Sequence, residues 1–242
     1  MKKRIFIAGA SGVIGLPLAK MLIEDGYTVY GTTRSENKKE LLESIGVKPI
    51  VVDVYEKEKL GEILREIKPE IVYHQLTDLP DGLEPSKMED ALEKNAKLRD
   101  IGTRNLAAAS KKAGVKKMIA QSIAFVYEPS DLPHDENSPL LNFEDKLYGS
   151  TSKAVASLEQ QVLNSTFIGV VLRNALLYGK GTGFEKAVDY LPCVNVDAVV
   201  YANFLVLKCE KNEIFNVGDD DKRLNSEKIK KALSWRADFK IA

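Results

Sequence analysis

Ser122, Tyr148 and Lys153 are residue types that together can move a proton at a carbonyl or hydroxyl group. A free tyrosine phenol titrates near ~10. A lysine ammonium beside it stabilises the phenolate and lowers that value. A serine hydroxyl can hold the reacting oxygen while the phenol gives or takes the proton. The stretch LYGSTSKAVASLE, residues 147–159, sets a geometric problem. Tyr148 and Lys153 stand five residues apart in it, and a regular helix turns five residues through ~140°. A four-residue spacing would leave them ~40° apart, on one face. Two local repairs would bring the pair together. A π-bulge could absorb the extra residue. Alternatively the helix could begin after Tyr148, which Gly149 and Ser150 favour.

The elements that must position these residues alternate in type. KRIFIAGA, YTVYGTTR, VKPIVVDV, EIVYHQL, VKKMIAQS and FIGVVLRNA are short runs rich in β-branched and other apolar residues, and read as buried strands. Helical spacing separates them: 13–26, the short KKELLESIG, KEKLGEILREIK before Pro69, a long helix over 86–113, and another over 147–164. This order predicts an α/β fold, a doubly wound parallel sheet covered on both faces. After residue 178 the rhythm weakens to a helix near 197–208, a strand near 213–217 and a last helix in SEKIKKALSW. The expected organisation is a main domain over 1–178 and a small C-terminal lobe, 179–242, packed on it.

GASGVIG puts Gly9, Gly12 and Gly15 between the first strand and the first helix. Glycine permits a tight turn, lets a diphosphate approach the backbone, and lets helix and strand pack closely. The helix start then presents free N–H groups and the positive end of its dipole. With Ser11, Val13 and Ile14 this loop is the expected seat of a dinucleotide. The second strand ends in GTTRSENKK, without the acidic residue that usually holds the ribose hydroxyls of NAD. Arg34 can pair with a 2′-phosphate, helped by Thr33 or Ser35 and by Lys38, which favours NADP, with Glu36 near enough to keep NAD open. Asp53 can accept from an adenine amino group or cap the next helix. His74 reads as a core histidine, His134 as an exposed loop residue, and Arg173 as either a phosphate contact or a structural ion pair. Trp235 reads as an anchor for the last helix.

The 35 basic and 35 acidic residues cancel. Such a balance advertises no nucleic-acid face. Two cysteines and two histidines form no metal-ligand cluster and no disulfide framework. The apolar run of MKKRIFIAG is too short for a signal peptide, and no window reaches the length of a membrane span. A cytoplasmic protein acting on a small molecule is the expectation.

GASGVIG, VDV, NAKLRDIGTRNLAAASKKAGVKKMI, QSIAFVY, VVLRNALLYGKG, VNVDAVVYANFLVL and FNVGDD together resemble the extended short-chain dehydrogenase/reductase superfamily, in a divergent branch of its NAD(P)-dependent epimerase/dehydratase-like members. The resemblance implies a Rossmann-type fold. It implies that Gly9, Gly12, Gly15 and Arg34 hold phosphates and that Asp53 and Val54 face adenine. His74, Gln75 and Leu76 would line the ribose and nicotinamide side, and Asn95 would support the active site. Ser122 would bind the reacting oxygen, Tyr148 would transfer the proton, and Lys153 would hold the nicotinamide ribose. A homodimer through the two long helices is also implied. The family often carries a glutamate four residues after the lysine. Setting the register on Glu159 instead places Thr151 and Val155 at the Tyr and Lys positions, with no proton-transferring pair. Matching VY to VY likewise moves the serine position onto Ile123. Two functions stay open: an NAD(P)-dependent oxidoreductase acting on a hydroxyl or carbonyl of a sugar-like or small carbonyl substrate, or a non-catalytic NADP(H)-binding regulator.

Overall fold

The computed structural model describes residues 3–241. Each apolar run forms its strand: β1 (Arg4–Ala8), β2 (Thr28–Thr33), β3 (Lys48–Val51), β4 (Ile71–His74), β5 (Lys117–Ile123) and β6 (Ile168–Asn174). Between them lie α1 (Gly15–Glu24), α2 (Lys39–Ser44), α3 (Lys57–Ile67), α4 (Met88–Lys97), α5 (Thr103–Ala113) and α6 (Gly149–Leu163). The later segment adds β7 (Leu176–Tyr178), β8 (Cys193–Asn195), α7 (Val196–Leu205), β9 (Glu213–Val217) and α8 (Glu227–Leu233).

Seven strands pair in parallel in the order β3-β2-β1-β4-β5-β6-β9. The strand order reverses between β1 and β4, which opens a crevice beyond their C-terminal ends. Period-two alternation sends Ile5, Ile7, Ile119 and Leu172 into one core with α1 and α7. Phe6, Val72, Met118, Ala120 and Val171 go into a second core with α3, α5 and α6. Both faces are buried, as an all-parallel sheet requires.

Two expectations need correction. Residues 179–242 do not stand apart as a lobe. They supply β9 to the main sheet beside β6, and α7 packs on α1. Trp235, 2% exposed, donates from Nε1 to the Ala198 carbonyl at 2.8 Å and ties the end of the chain to α7. The long helix over 86–113 is also not uniform. A π-helical turn, Leu98–Gly102, joins α4 to α5. The π-turn therefore lies in this helix, whereas α6 is regular throughout.

Candidate active site

The glycine loop turns as its composition demands. Gly9 has φ +88°, and a Cβ there would lie 2.7 Å from the Gln75 carbonyl oxygen. A Cβ on Gly15 would lie 2.2 Å from the Gly9 carbonyl oxygen, so this glycine serves the packing of α1 on β1. Gly12 differs: the nearest atom to an added Cβ is 3.5 Å away. The loop is therefore open at Gly12. No side chain caps α1, and its first turn carries no acidic residue. By contrast, α7 is capped by Asn195 Oδ1, which accepts from the Asp197 N–H at 3.1 Å. The open start of α1 leaves N–H groups available to an anion.

These parts line a cavity of about 700 Å³ along the crevice. Of the residues expected to contact the coenzyme, Gly9, Ser11, Gly12, Val13, Ile14, Thr33, Arg34, Asp53, Val54, Gln75 and Leu76 line it. Arg34 pairs with Asp78, Nη2 to Oδ1, at 3.0 Å, and 56% of its side chain is exposed. Asp53 Oδ1 accepts from the Tyr55 N–H at 2.9 Å, so one carboxylate oxygen organises the turn before α3 while the residue still lines the cavity. Gln75 is held by Nε2 donating to Asn203 Oδ1 at 2.8 Å. Asn95 does not line the cavity. It is 2% exposed, and its Oδ1 accepts from the Asp78 N–H at 3.2 Å, which fixes the loop after β4. His74 is a core residue: Nε2 lies 2.9 Å from Thr103 Oγ1, and burial lowers its pKa to about 4.

Of Ser122, Tyr148 and Lys153, Ser122 alone borders the cavity. The helix does start late, with Tyr148 at its N-cap, but the tyrosine is 53% exposed and Lys153 is exposed as well. Neither lines the cavity. Ser122 borders it, yet its hydroxyl donates to Glu159 Oε1 at 2.8 Å on the α6 side of the sheet. Strand alternation explains this, because Ser122 shares its face with Met118 and Ala120 while Ile123 takes the other. Thr151 and Val155 are buried.

Glu159 instead anchors a buried network. Arg173 donates from Nε to Oε1 at 2.9 Å and from Nη2 to Oε2 at 2.7 Å. Its Nη1 donates to the Tyr127 hydroxyl at 3.0 Å, and that hydroxyl donates to Asn216 Oδ1 at 2.5 Å. Burial pulls the Arg173 pKa down, but hydrogen bonds to Glu159 and its charge outweigh this and hold it above its ordinary value. Arg173 is thus a structural ion pair that joins β6, α6 and the loop after β5. His134, expected in solvent, stacks on Tyr127 with ring centroids 5.1 Å apart.

Several cavity residues escaped the sequence reading. Phe125, Leu79, Leu83, Leu176 and Leu177 form apolar wall together with Ile123, the alternative serine position, largely where β5 and β6 end. Arg99, in the π-turn, borders the same space. Nothing in the run NAKLRDIG, which holds Lys97 as well as Arg99, sets this arginine apart.

A parallel sheet in this order, with a glycine loop at the β1–α1 turn, defines a dinucleotide-binding α/β protein. Residues 5–194 match the model of the NAD dependent epimerase/dehydratase family, and the chain belongs to that family. It is 36% identical over 185 residues to a 3-diazoavenalumate denitrifying reductase from Streptomyces sp, a match covering 76% of this chain and 59% of the relative. It is 32% identical over 158 residues to a UDP-N-acetyl-alpha-D-glucosaminuronate decarboxylase from Bacillus cytotoxicus, covering 63% and 44%. The chain therefore spans about half the length of the curated relatives it matches. Among solved structures, the UDP-glucose 4-epimerase of Thermotoga maritima superposes with a TM-score of 0.79 at 22% identity, over 98% of this chain and 94% of that one. The Bordetella bronchiseptica enzyme WbmG in complex with NAD gives 0.78 at 18%, over 100% and 91%. At these identities the structures speak for the fold. Among the described residues, no helix is long and apolar enough to cross a membrane.

Proposed function

We propose that this protein is an NADP(H)-dependent reductase of a small organic substrate. The carrying observation is the crevice itself: an open glycine loop under an uncapped helix start, with Arg34 and Lys38 where an NAD site would carry an acid. The start of α1 would hold the diphosphate. Arg34 would leave Asp78 for the 2′-phosphate, where a guanidinium makes paired charge-assisted hydrogen bonds. Asp53 would face adenine. Bound there, the coenzyme supplies or accepts a hydride at the substrate carbon. The cavity wall from Ile123, Phe125, Leu176 and Leu177 suits a flat or apolar substrate body, with Gln121 and Asn174 lining the same space as polar contacts. Reductase relatives support this reading, among them the Streptomyces protein and a ketoreductase from Stigmatella aurantiaca, 26% identical over 178 residues.

Arg34→Ala is expected to weaken NADPH binding by about 10- to 100-fold, the worth of charge-assisted hydrogen bonds, and to leave NADH binding unchanged. Fluorescence titration of both coenzymes measures this. Equal losses for the two would remove the NADP assignment. Tight NADPH binding without turnover of any carbonyl or other reducible compound would instead leave a coenzyme-binding regulator.

In this proposal Tyr148 is not the proton donor. A side chain that does not border the cavity supplies none of the ~100- to 10,000-fold contributed by general acid catalysis. Tyr148→Phe is expected to keep kcat within about twofold of wild type under the same principle. A fall of ~100-fold or more would return the phenol to the mechanism.

A further inference from the structure

Arg99 is an uncompensated charge. It lines the cavity from the π-turn between α4 and α5, and no hydrogen bond or ion pair among the described residues engages its guanidinium. Its neighbours Leu98 and Gly102 are buried. A Cβ on Gly102 would lie 2.7 Å from Leu98 Cδ1 and 3.1 Å from Val54 Cγ1, so the π-turn is packed tightly against the loop after β3. Burial is the one influence on the Arg99 pKa, lowering it to about 10, so the side chain stays charged at neutral pH. By exposed surface Arg99 is half-buried, so leaving its guanidinium without a protein partner carries a partial desolvation cost. Arg173, which is buried, makes four hydrogen bonds to protein acceptors. An anion entering the cavity would offset the cost at Arg99 with charge-assisted hydrogen bonds.

The anionic groups of the coenzyme are served elsewhere. The diphosphate falls to the start of α1, and a 2′-phosphate falls to Arg34 and Lys38 at the end of β2. Arg99 comes from a different layer, close enough to His74 at the end of β4 for its charge to lower that residue's pKa. The apolar wall from Ile123, Phe125, Leu176 and Leu177 borders the same cavity. A cation and an apolar wall in one space match a small molecule with an apolar body and a carboxylate.

We infer that Arg99 is the substrate-anchoring residue of this site, and that the substrate is a small apolar carboxylate whose carboxyl group pairs with the Arg99 guanidinium. The inference rests on the coenzyme reading of the crevice given above. Paired N–H···O bonds would fix the carboxylate in orientation as well as place. The pairing would thereby hold the reacting carbon in register with the coenzyme.

The test uses the purified protein, wild type and Arg99→Gln, with benzoate and its neutral isostere benzamide as probes. Calorimetry measures each probe with and without saturating NADP, and fluorescence measures NADPH separately. Benzoate is expected to bind wild type at least about tenfold more tightly than benzamide, as a charge-assisted hydrogen bond supplies. In Arg99→Gln that preference is expected to vanish, while NADPH affinity stays within about twofold, since no coenzyme group is assigned to this residue. Arg99→Lys, which keeps the charge and loses the fork, is expected to restore part of the preference. The unfolding midpoint of Arg99→Gln should equal or exceed that of wild type, because an unpaired, half-buried charge is removed; a structural arginine would lower it. Equal binding of benzoate and benzamide to wild type overturns the inference. A preference that survives Arg99→Gln also overturns it. A tenfold loss of NADPH affinity with benzoate unaffected would assign the guanidinium to a coenzyme phosphate instead, and so overturn the substrate assignment. Failure of wild type to bind NADPH at all would strike the coenzyme reading, and benzoate binding to the free protein would still report on Arg99.

Discussion

Arg173→Met is expected to destabilise the fold by about 3–5 kcal/mol, among the largest effects of any single substitution in this chain. Arg173 and Glu159 expose only 6% and 7% of their side chains. Removing the guanidinium strands a carboxylate in the interior, where its remaining acceptor bond comes from Ser122 alone. The Tyr127 hydroxyl loses a donor in the same step, and the Glu136 carbonyl loses another. The double substitution Arg173→Met with Glu159→Leu is expected to recover most of the loss, because a buried ion pair often contributes no more than well-packed apolar groups of similar volume. Urea unfolding of wild type, both single variants and the double closes the cycle, and the coupling between the two sites should be large and favourable. A cost below ~1 kcal/mol for Arg173→Met would mean that water reaches Glu159, and the network would then carry little of the stability.

Gly12→Asp is expected to cut NADPH affinity by at least about 100-fold, ~2.7 kcal/mol, while leaving the fold intact. The two effects separate because this glycine is the open one. An added Cβ meets nothing closer than 3.5 Å, and the backbone is not in the left-handed region. A carboxylate there occupies the place of the coenzyme diphosphate and repels it; like charges set face to face cost several kcal/mol. The same carboxylate lies at the start of α1, where a negative charge stabilises a helix by about 0.3–1 kcal/mol. Thermal unfolding should therefore hold steady or rise slightly as coenzyme titration fails. Gly15→Ala is the contrasting case. Its methyl would meet the Gly9 carbonyl oxygen at 2.2 Å, so the fold itself should suffer. Undiminished NADPH binding in Gly12→Asp would place the diphosphate elsewhere and remove the crevice from the coenzyme assignment.

The sequence by itself determined the layered architecture and the glycine loop. Both rest on local physics. Apolar runs of four to seven residues between helical repeats leave few arrangements, and a GASGVIG turn between strand and helix needs its glycines whatever else surrounds it. The chemistry at the far end of the crevice was a tertiary decision. Ser122 was legible as a hydroxyl at the end of β5, but a single step of strand register decides which face it takes, and it took the face of Glu159. Tyr148 and Lys153 were legible as types, yet the point where α6 begins and the side it buries put both in solvent. Arg99 lay unremarked in a helical run, because a π-turn is a product of packing that no periodicity announces. Likewise 179–242 read as a lobe because its elements are short, and only pairing with β6 made β9 the last strand of the sheet. Local spacing reports what a segment can form. Which side chains meet across elements is decided by register and by the exclusion of water from the space between them.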